Sequence, residues 1–286
     1  GTLVYFPAAH WVFALGDPES GLVGGWILNQ IKAIDFAGGT AIHINAGTAA
    51  LALALVVGPR IGFGSKPMRP HNMTLVMLGA ALLWFGWFGF NAGSAAAANG
   101  LASLAWVNTL AATAAAMLGW LLVEKLRDGH PTSLGAASGI VAGLVGITPA
   151  AGFVGPAAAM AIGALTGAAC FGGVLLKHRF AYDDALDAFG VHGVGGAVGA
   201  LLTGVFATVA LTPASVRGGL LAGNAGLLGE QLLGLLAAGA YAGAITLGIL
   251  KLLDKTLGLR VDRETEYDGL DGALHDERAY TLEGGN

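Results

Sequence analysis

The sequence predicts an all-α fold, a polytopic bundle of membrane helices, and three observations carry that prediction. Hydrophobic residues fill 55% of the 286 positions and charged residues only 11%, against roughly 25% charged in an average soluble domain. The mean hydropathy is +0.69, and the apolar residues gather into runs of roughly the 20 residues that a helix needs to cross a bilayer core. The 48 glycines lie inside those runs, where they let backbones approach closely, instead of in linkers. Other classes fall away on the same composition. A single cysteine, Cys170, excludes a disulfide framework and a cysteine metal centre, and no basic patch supports nucleic-acid binding.

Breaks at glycine, proline and charge set the elements in order. Residues 1–14 read as the end of a span. Seven candidate spans follow at 36–57, 74–98, 101–123, 134–153, 156–176, 185–209 and 226–253. Together, residues 1–258 form a membrane domain, and 259–286 a polar tail. Alternate connections hold Arg60, Lys66 and Arg69; then Lys125 and Arg127; then Lys177 and Arg179; and finally Lys251, Lys255, Arg260, Arg263 and Arg278. The other side keeps Lys32 and Arg217. By the positive-inside rule the basic side is cytoplasmic, which predicts a multi-pass cell-membrane protein with its C-terminus inside the cell.

The first full span carries the most informative chemistry. His43 sits about a third of the way into it, with Asp35 at its start. An ionisable side chain at that depth is costly unless it faces a partner or a polar cavity. Gly39, Gly47 and Ala50 recur on the side of His43, a small-residue stripe that admits a neighbouring backbone. The span at 185–209 repeats the order: Asp187, an aromatic, Gly, His192, then Gly196, Gly199 and Thr203. The two spans run in opposite directions, so the echo predicts an inverted repeat with its site near the bilayer midplane. At about 1.5 Å per residue, each histidine lies roughly 8–12 Å beyond its acid, approaching the middle from opposite faces. A touching pair of neutral imidazoles can pass a proton or bind a small polar molecule without net charge. Ligation of a haem or metal is the competing use. Asp35 and Asp187 read as helix caps, and Asp35 also draws a cation electrostatically.

The span at 74–98 contains Trp84, Phe85, Trp87, Phe88 and Phe90, then Asn91 and Ser94. An interfacial aromatic belt accounts for part of this run. Phe90 and Ser94 share a helix face, offering a small cation an aromatic surface and a hydroxyl.

The motifs DFAGGTAIHINAG, WFGFNAGSA, GITPAAGFV and FGVHGVGG and the tail GLRVDRETEYDGLD together resemble the ammonium transporter (Amt/Mep/Rh) family, on its Amt branch, over nearly the whole chain. The resemblance implies that His43 and His192 are the twin histidines of a hydrophobic conduction pore. It implies that Phe90 is one of two stacked phenylalanines at the outer mouth, and that Ser94 and Asp35 serve ammonium recruitment. Phe13 stands where the family has a tryptophan, keeping a cation–π face but losing an N–H donor, and Trp26 is a candidate to compensate. Relative to the eleven spans the family implies, the chain reads as truncated at its N-terminus, without the first three helices, most of the fourth and the other gate phenylalanine. The implied activity is ammonium transport with deprotonation of recruited ammonium, with no covalent chemistry and no cofactor or metal. An ammonium sensor on the same scaffold and an Rh-like gas channel are the alternatives. A homotrimer and a cytoplasmic P-II signal protein are the implied partners. The tail's spaced apolar residues predict that it packs on the cytoplasmic helix ends, with Glu264, Glu266, Asp268 and Asp271 facing the basic loop residues.

Overall fold

Each apolar run becomes a helix, and the breaks fall where proline, glycine or a side-chain cap stops one. The computed structural model describes residues 1–17, 19–211, 218–277 and 280; Arg217, Arg278 and the tail end 281–286 lie outside the described residues. In chain order the helices are α1 (Tyr5–Phe13), α2 (Asn45–Val57), α3 (Met73–Gly93), α4 (Gly100–Asp128), α5 (Ser133–Ile147), α6 (Pro156–Phe180), α7 (Val194–Phe206), α8 (Gly226–Thr256), α9 (Arg263–Asp268) and α10 (Leu270–His275). Asn72, Asn99 and Thr132 cap the starts of α3, α4 and α5 with side-chain oxygens, satisfying N–H groups that the first turn leaves free. Pro156 occupies the first turn of α6, where its missing N–H costs nothing.

Six helical stretches are long and apolar enough to cross a membrane: Gly39–Val57, Met73–Gly93, Gly100–Asp128, Pro156–Phe180, Phe189–Phe206 and Gly226–Thr256. The seventh expected span, 134–153, is shorter than read. Helix α5 has 15 residues and stops at Ile147. The chain then tightens through Thr148–Phe153, with Ala150 N donating to Ile147 O at 2.9 Å and Phe153 N to Ala150 O at 2.8 Å. Pro149 lacks the N–H that would continue the α-helical ladder.

Helix α4 packs along α6 and α5, and α7 is enclosed by α5, α6 and α8. The bundle centre is built from small residues: Gly143, Gly163 and Gly167 lie so close to the α4 backbone that a Cβ at any of them would overlap Ala112, Thr113 or Ala116. Such contact is the usual way membrane helices gain van der Waals attraction, since lipid supplies no hydrophobic drive between them. By contrast, Leu232, Leu233 and Leu236 of α8 and Leu78, Leu82 and Phe85 of α3 are exposed.

The short helices α9 and α10 follow the last span. Asp262 caps α9 through Glu264 N and Thr265 N. The tail does touch the basic loops, but through different partners from those expected. Glu266 binds Arg260 of the tail itself and Ile61 N, while Tyr280 stacks on His71 and accepts from Asn72. Lys177 and Arg127 pair instead with Asp187 and Asp128. Tyr267, Leu270 and Leu274 are exposed. Close loop acids capture the loop cations first, because ordering nearby side chains costs less entropy.

Candidate functional site

Two wide helical turns open the site. Gly39–Ile44 and Phe189–Gly193 are π-helical and run directly into α2 and α7. Each starts on a carboxylate. Asp35 accepts from the N–H groups of Gly38 and Gly39 through Oδ1, at 2.8 Å each, and of Thr40 and Ala41 through Oδ2, at 2.8 and 3.1 Å. In the second repeat the acceptor is Asp184, which binds Ala188 N at 2.9 Å, Phe189 N at 2.8 Å and Gly190 N at 3.1 Å. The cap expected of Asp187 is therefore made three residues earlier. The Asp187 carboxylate is turned to Lys177, and its own backbone is left-handed, with φ 55°, placing it outside the helix start. Asp35 precedes His43, and Asp184 precedes His192, by the same interval, so the repeat is closer in space than its letters suggest.

The two helices cross with backbone against backbone. A Cβ on Gly47 would overlap Gly193, and one on Gly196 would come within 3.0 Å of both Gly39 O and His43 Cβ. That contact brings the imidazoles together: His43 Nδ1 lies 3.1 Å from His192 Nδ1, with ring centroids 5.2 Å apart. His43 is 3% exposed. Trp87 stacks on the His43 ring at 5.3 Å, and Phe90 is tilted against it at 6.1 Å. Ser94 lies one turn beyond and donates its hydroxyl to Phe90 O.

A hydroxyl the sequence reading did not single out orders the pair. Thr148, on the tight turn after α5, donates to Leu144 O at 2.7 Å. Its oxygen receives Trp87 Nε1–H at 3.0 Å and lies 3.3 Å from His43 Nε2. A hydroxyl has one proton and indole only donates, so the free lone pair of Thr148 Oγ1 accepts from a protonated His43 Nε2. His43 Nδ1 is then bare and accepts from His192 Nδ1–H, leaving His192 Nε2 as the open acceptor. The network thus assigns both tautomers. Two nitrogens at hydrogen-bond distance need one N–H and one lone pair, so both rings can stay neutral.

The remaining expected residues are placed less centrally. Phe13 ends α1, 37% exposed, and enters no ring contact among the described residues. Trp26 packs edge-on to Trp11, which packs on Tyr241. On the side of the basic loops, a cavity of about 1000 Å³ reaches His192 and is lined by Arg60, Lys66, Arg69, Lys177 and Asp187. Among the described residues no group of three or more His, Cys, Asp or Glu is arranged for a metal.

The family model described as Ammonium Transporter Family matches residues 1–280. The chain belongs to the ammonium transporter family. This family member is 54% identical over 284 residues to the ammonium transporter of Mycobacterium tuberculosis H37Rv, a match covering 98% of this chain and 59% of that protein. The chain thus spans about three fifths of the length of such relatives. Its fold is similar to the crystal structure of Saccharomyces cerevisiae Mep2, with TM-score 0.81 and 38% identity over 90% of this chain and 58% of that one. A solved Sensor Amt Protein is also similar, with TM-score 0.80 and 34% identity over 88% and 62% of the two chains.

Two functional groups besides Thr148 escaped the sequence reading. Asp184 was readable from its interval to His192, matching that of Asp35 to His43. Trp87 was noted in its aromatic run, but nothing in the run marks it as the residue that stacks on His43.

Proposed function

We propose that this chain carries the conducting half-pores and the cytoplasmic tail of a transporter that moves ammonium across the cell membrane as neutral ammonia. The observation that carries the reading is the His43–His192 contact at 3.1 Å, between a buried and a half-buried imidazole, formed between two glycine-crossed helices of opposite direction. Ammonium is recruited outside by Asp35, Ser94 and the Phe13 face, sheds its proton, and passes Phe90 to the twin imidazoles. Stripping water from a bare cation in an apolar constriction costs several kcal/mol or more, whereas a neutral amine loses far less. The open His192 Nε2 lone pair accepts an N–H of ammonia, and the Trp87 and Phe90 rings exclude bulk water. The proton travels separately.

The assembled protein is a homotrimer with one pore per subunit. Its C-terminus is cytoplasmic, and the tail on the basic loops forms part of the surface that receives a P-II signal protein. A sensor on the same scaffold draws weight from the similarity to the Sensor Amt Protein; it would bind ammonium without flux. The test is methylammonium uptake by liposomes holding the full-length polypeptide with His43→Ala, His192→Ala or both. Flux falls, or selectivity changes, in trimers that still assemble. A double variant with unchanged transport and selectivity would refute the reading, and binding without flux in the unaltered protein would favour the sensor.

A further inference from the structure

The mechanism above leaves the two-pronged Arg60–Asp183 ion pair of the basic loops unused. Arg60, just past α2, donates its backbone N–H and Nε to Asp183 Oδ2 at 2.9 and 2.7 Å, and its Nη2 to Asp183 Oδ1 at 2.8 Å. A two-pronged guanidinium–carboxylate contact fixes direction as well as charge. The Asp183 side chain is only 1% exposed. The next residue, Asp184, holds the three N–H groups that begin the His192 turn. One two-residue segment is therefore anchored to Arg60 by its first carboxylate and to the His192 turn by its second.

The backbone on each side of Arg60 is also held. Arg260 donates to Val57 O at 3.1 Å and to Pro59 O at 2.8 Å, and Glu266 accepts from Ile61 N at 2.9 Å while pairing with Arg260 at 2.7 Å. The first repeat is anchored differently: Ile34, the residue before Asp35, donates its N–H to Gln231 Oε1 of α8 at 2.7 Å and accepts from Gln231 Nε2 at 2.9 Å, while the Asp35 carboxylate binds four N–H groups and, among the described residues, no cation. The start of the His43 turn is thus tied to a helix of the bundle, whereas that of the His192 turn is tied to a loop.

We propose that Arg60 and Asp183 are a positioning pair for His192: their clasp fixes Asp184, and with it the turn that sets the separation of the two imidazoles, while Arg260 and Glu266 steady the loop that carries Arg60. The inference rests on the paired-histidine pore described above. Without the clasp, Asp184 keeps its N–H partners but the segment drifts, and the Nδ1···Nδ1 contact lengthens past hydrogen-bond range.

The experiment measures ammonium and methylammonium uptake per assembled trimer, using full-length protein in liposomes. Arg60→Met and Asp183→Asn should each lower flux about tenfold and shift the ammonium-to-methylammonium ratio, within the range a displacement of about 1 Å can produce in a geometry-dependent step. The exchange Arg60→Asp with Asp183→Arg should recover a large part of both. If either single variant fails to assemble, Glu266→Gln, which loosens the loop and leaves the ion pair intact, should still shift the ratio. Unchanged flux and ratio in Arg60→Met and Asp183→Asn would overturn the proposal. So would a loss that merely follows protein yield, with the ratio constant and no recovery on charge exchange. His43→Ala serves as the separate control: if it lowers flux while Arg60→Met does not, the pore reading stands and the positioning role falls.

Discussion

Replacing Thr148 with Val tests the polar network around the histidines most directly, because it removes one oxygen and keeps the side chain's shape. That oxygen is the acceptor for Trp87 Nε1–H at 3.0 Å and the partner of His43 Nε2 at 3.3 Å; Trp87 is 8% and His43 3% exposed. Leaving a buried donor unmatched costs about 1–3 kcal/mol. Indole has no alternative, so its penalty stands in full. Imidazole can move its proton from Nε2 to Nδ1, which relieves its own penalty and reverses the bond to His192. The expected destabilisation is therefore about 1–3 kcal/mol if the tautomer shifts and about 2–6 kcal/mol if it does not. The assay is thermal or denaturant unfolding of the purified protein, with nitrogen-15 NMR of labelled histidine reporting which ring nitrogen carries the proton. Uptake of methylammonium is measured on the same preparations. Thr148→Ser, which keeps the hydroxyl, should stay close to the unaltered protein in all three. The reasoning is refuted if Thr148→Val leaves stability, tautomer and uptake alike unchanged.

Two further outcomes follow from the loop preceding His192. Asp184→Asn removes one of the two oxygens that serve three N–H groups and should cost about 1–2 kcal/mol, while Asp187→Asn breaks a partly exposed pair with Lys177 and should cost about 0–1 kcal/mol; the reverse order in denaturant unfolding would return the cap to Asp187. The Arg60 hydrogen bonds, opposed by burial, hold the Asp183 carboxyl below its ordinary value of 3.8. A carboxyl depressed in the folded state stabilises above its unfolded value and loses that contribution as pH falls through the folded one. The clasp should thus be intact from about pH 5 to 8 and open only below about pH 4. Denaturant unfolding against pH would show it, as an acid-side loss of stability that Asp183→Asn abolishes.

The spans were legible because length and hydropathy are properties of a run, and a bilayer reads runs. What those properties cannot register is a turn made inside an apolar stretch. Thr148–Phe153 carries no charge that would mark a break, yet Pro149 ends the ladder there, and the turn carries the hydroxyl that orders His43. The histidines were legible for the opposite reason: they are the wrong chemistry for their depth. Their acids were only half legible. Asp187 stands nearest the FGVHG motif and matched the order of letters around Asp35, but a wide π turn takes its cap from further back, and Asp184 keeps the interval found in the first repeat. The tail's docking was foreseen in kind and misjudged in detail, because Glu266 had a partner six residues away in Arg260 before any distant lysine could compete.

The histidine contact is finally a consequence of glycine. Imidazoles projecting from two helices packed at the usual interaxial distance of about 8–10 Å have no reason to meet nitrogen to nitrogen, and a ring pair seated by side chains could slip by an ångström at little cost. Here α2 meets the turn before α7 at Gly47 and Gly193, and Gly39 faces Gly196, with no side chain between the backbones; close-packed surfaces of that kind deform little. Behind the second helix, Gly199 lies against Gly146 so tightly that a Cβ would overlap its carbonyl, which prevents α7 from retreating toward α5. The rings are thus clamped from both sides by main chain, and the adjustable parts of the site are the two helix starts. One of those starts is capped by Asp35 and tied into the bundle through Ile34 and Gln231 of α8. The other, through Asp184 and its neighbour Asp183, is fastened to a loop that the tail grips, so a change in the tail or in that loop should reach His192 before it reaches His43.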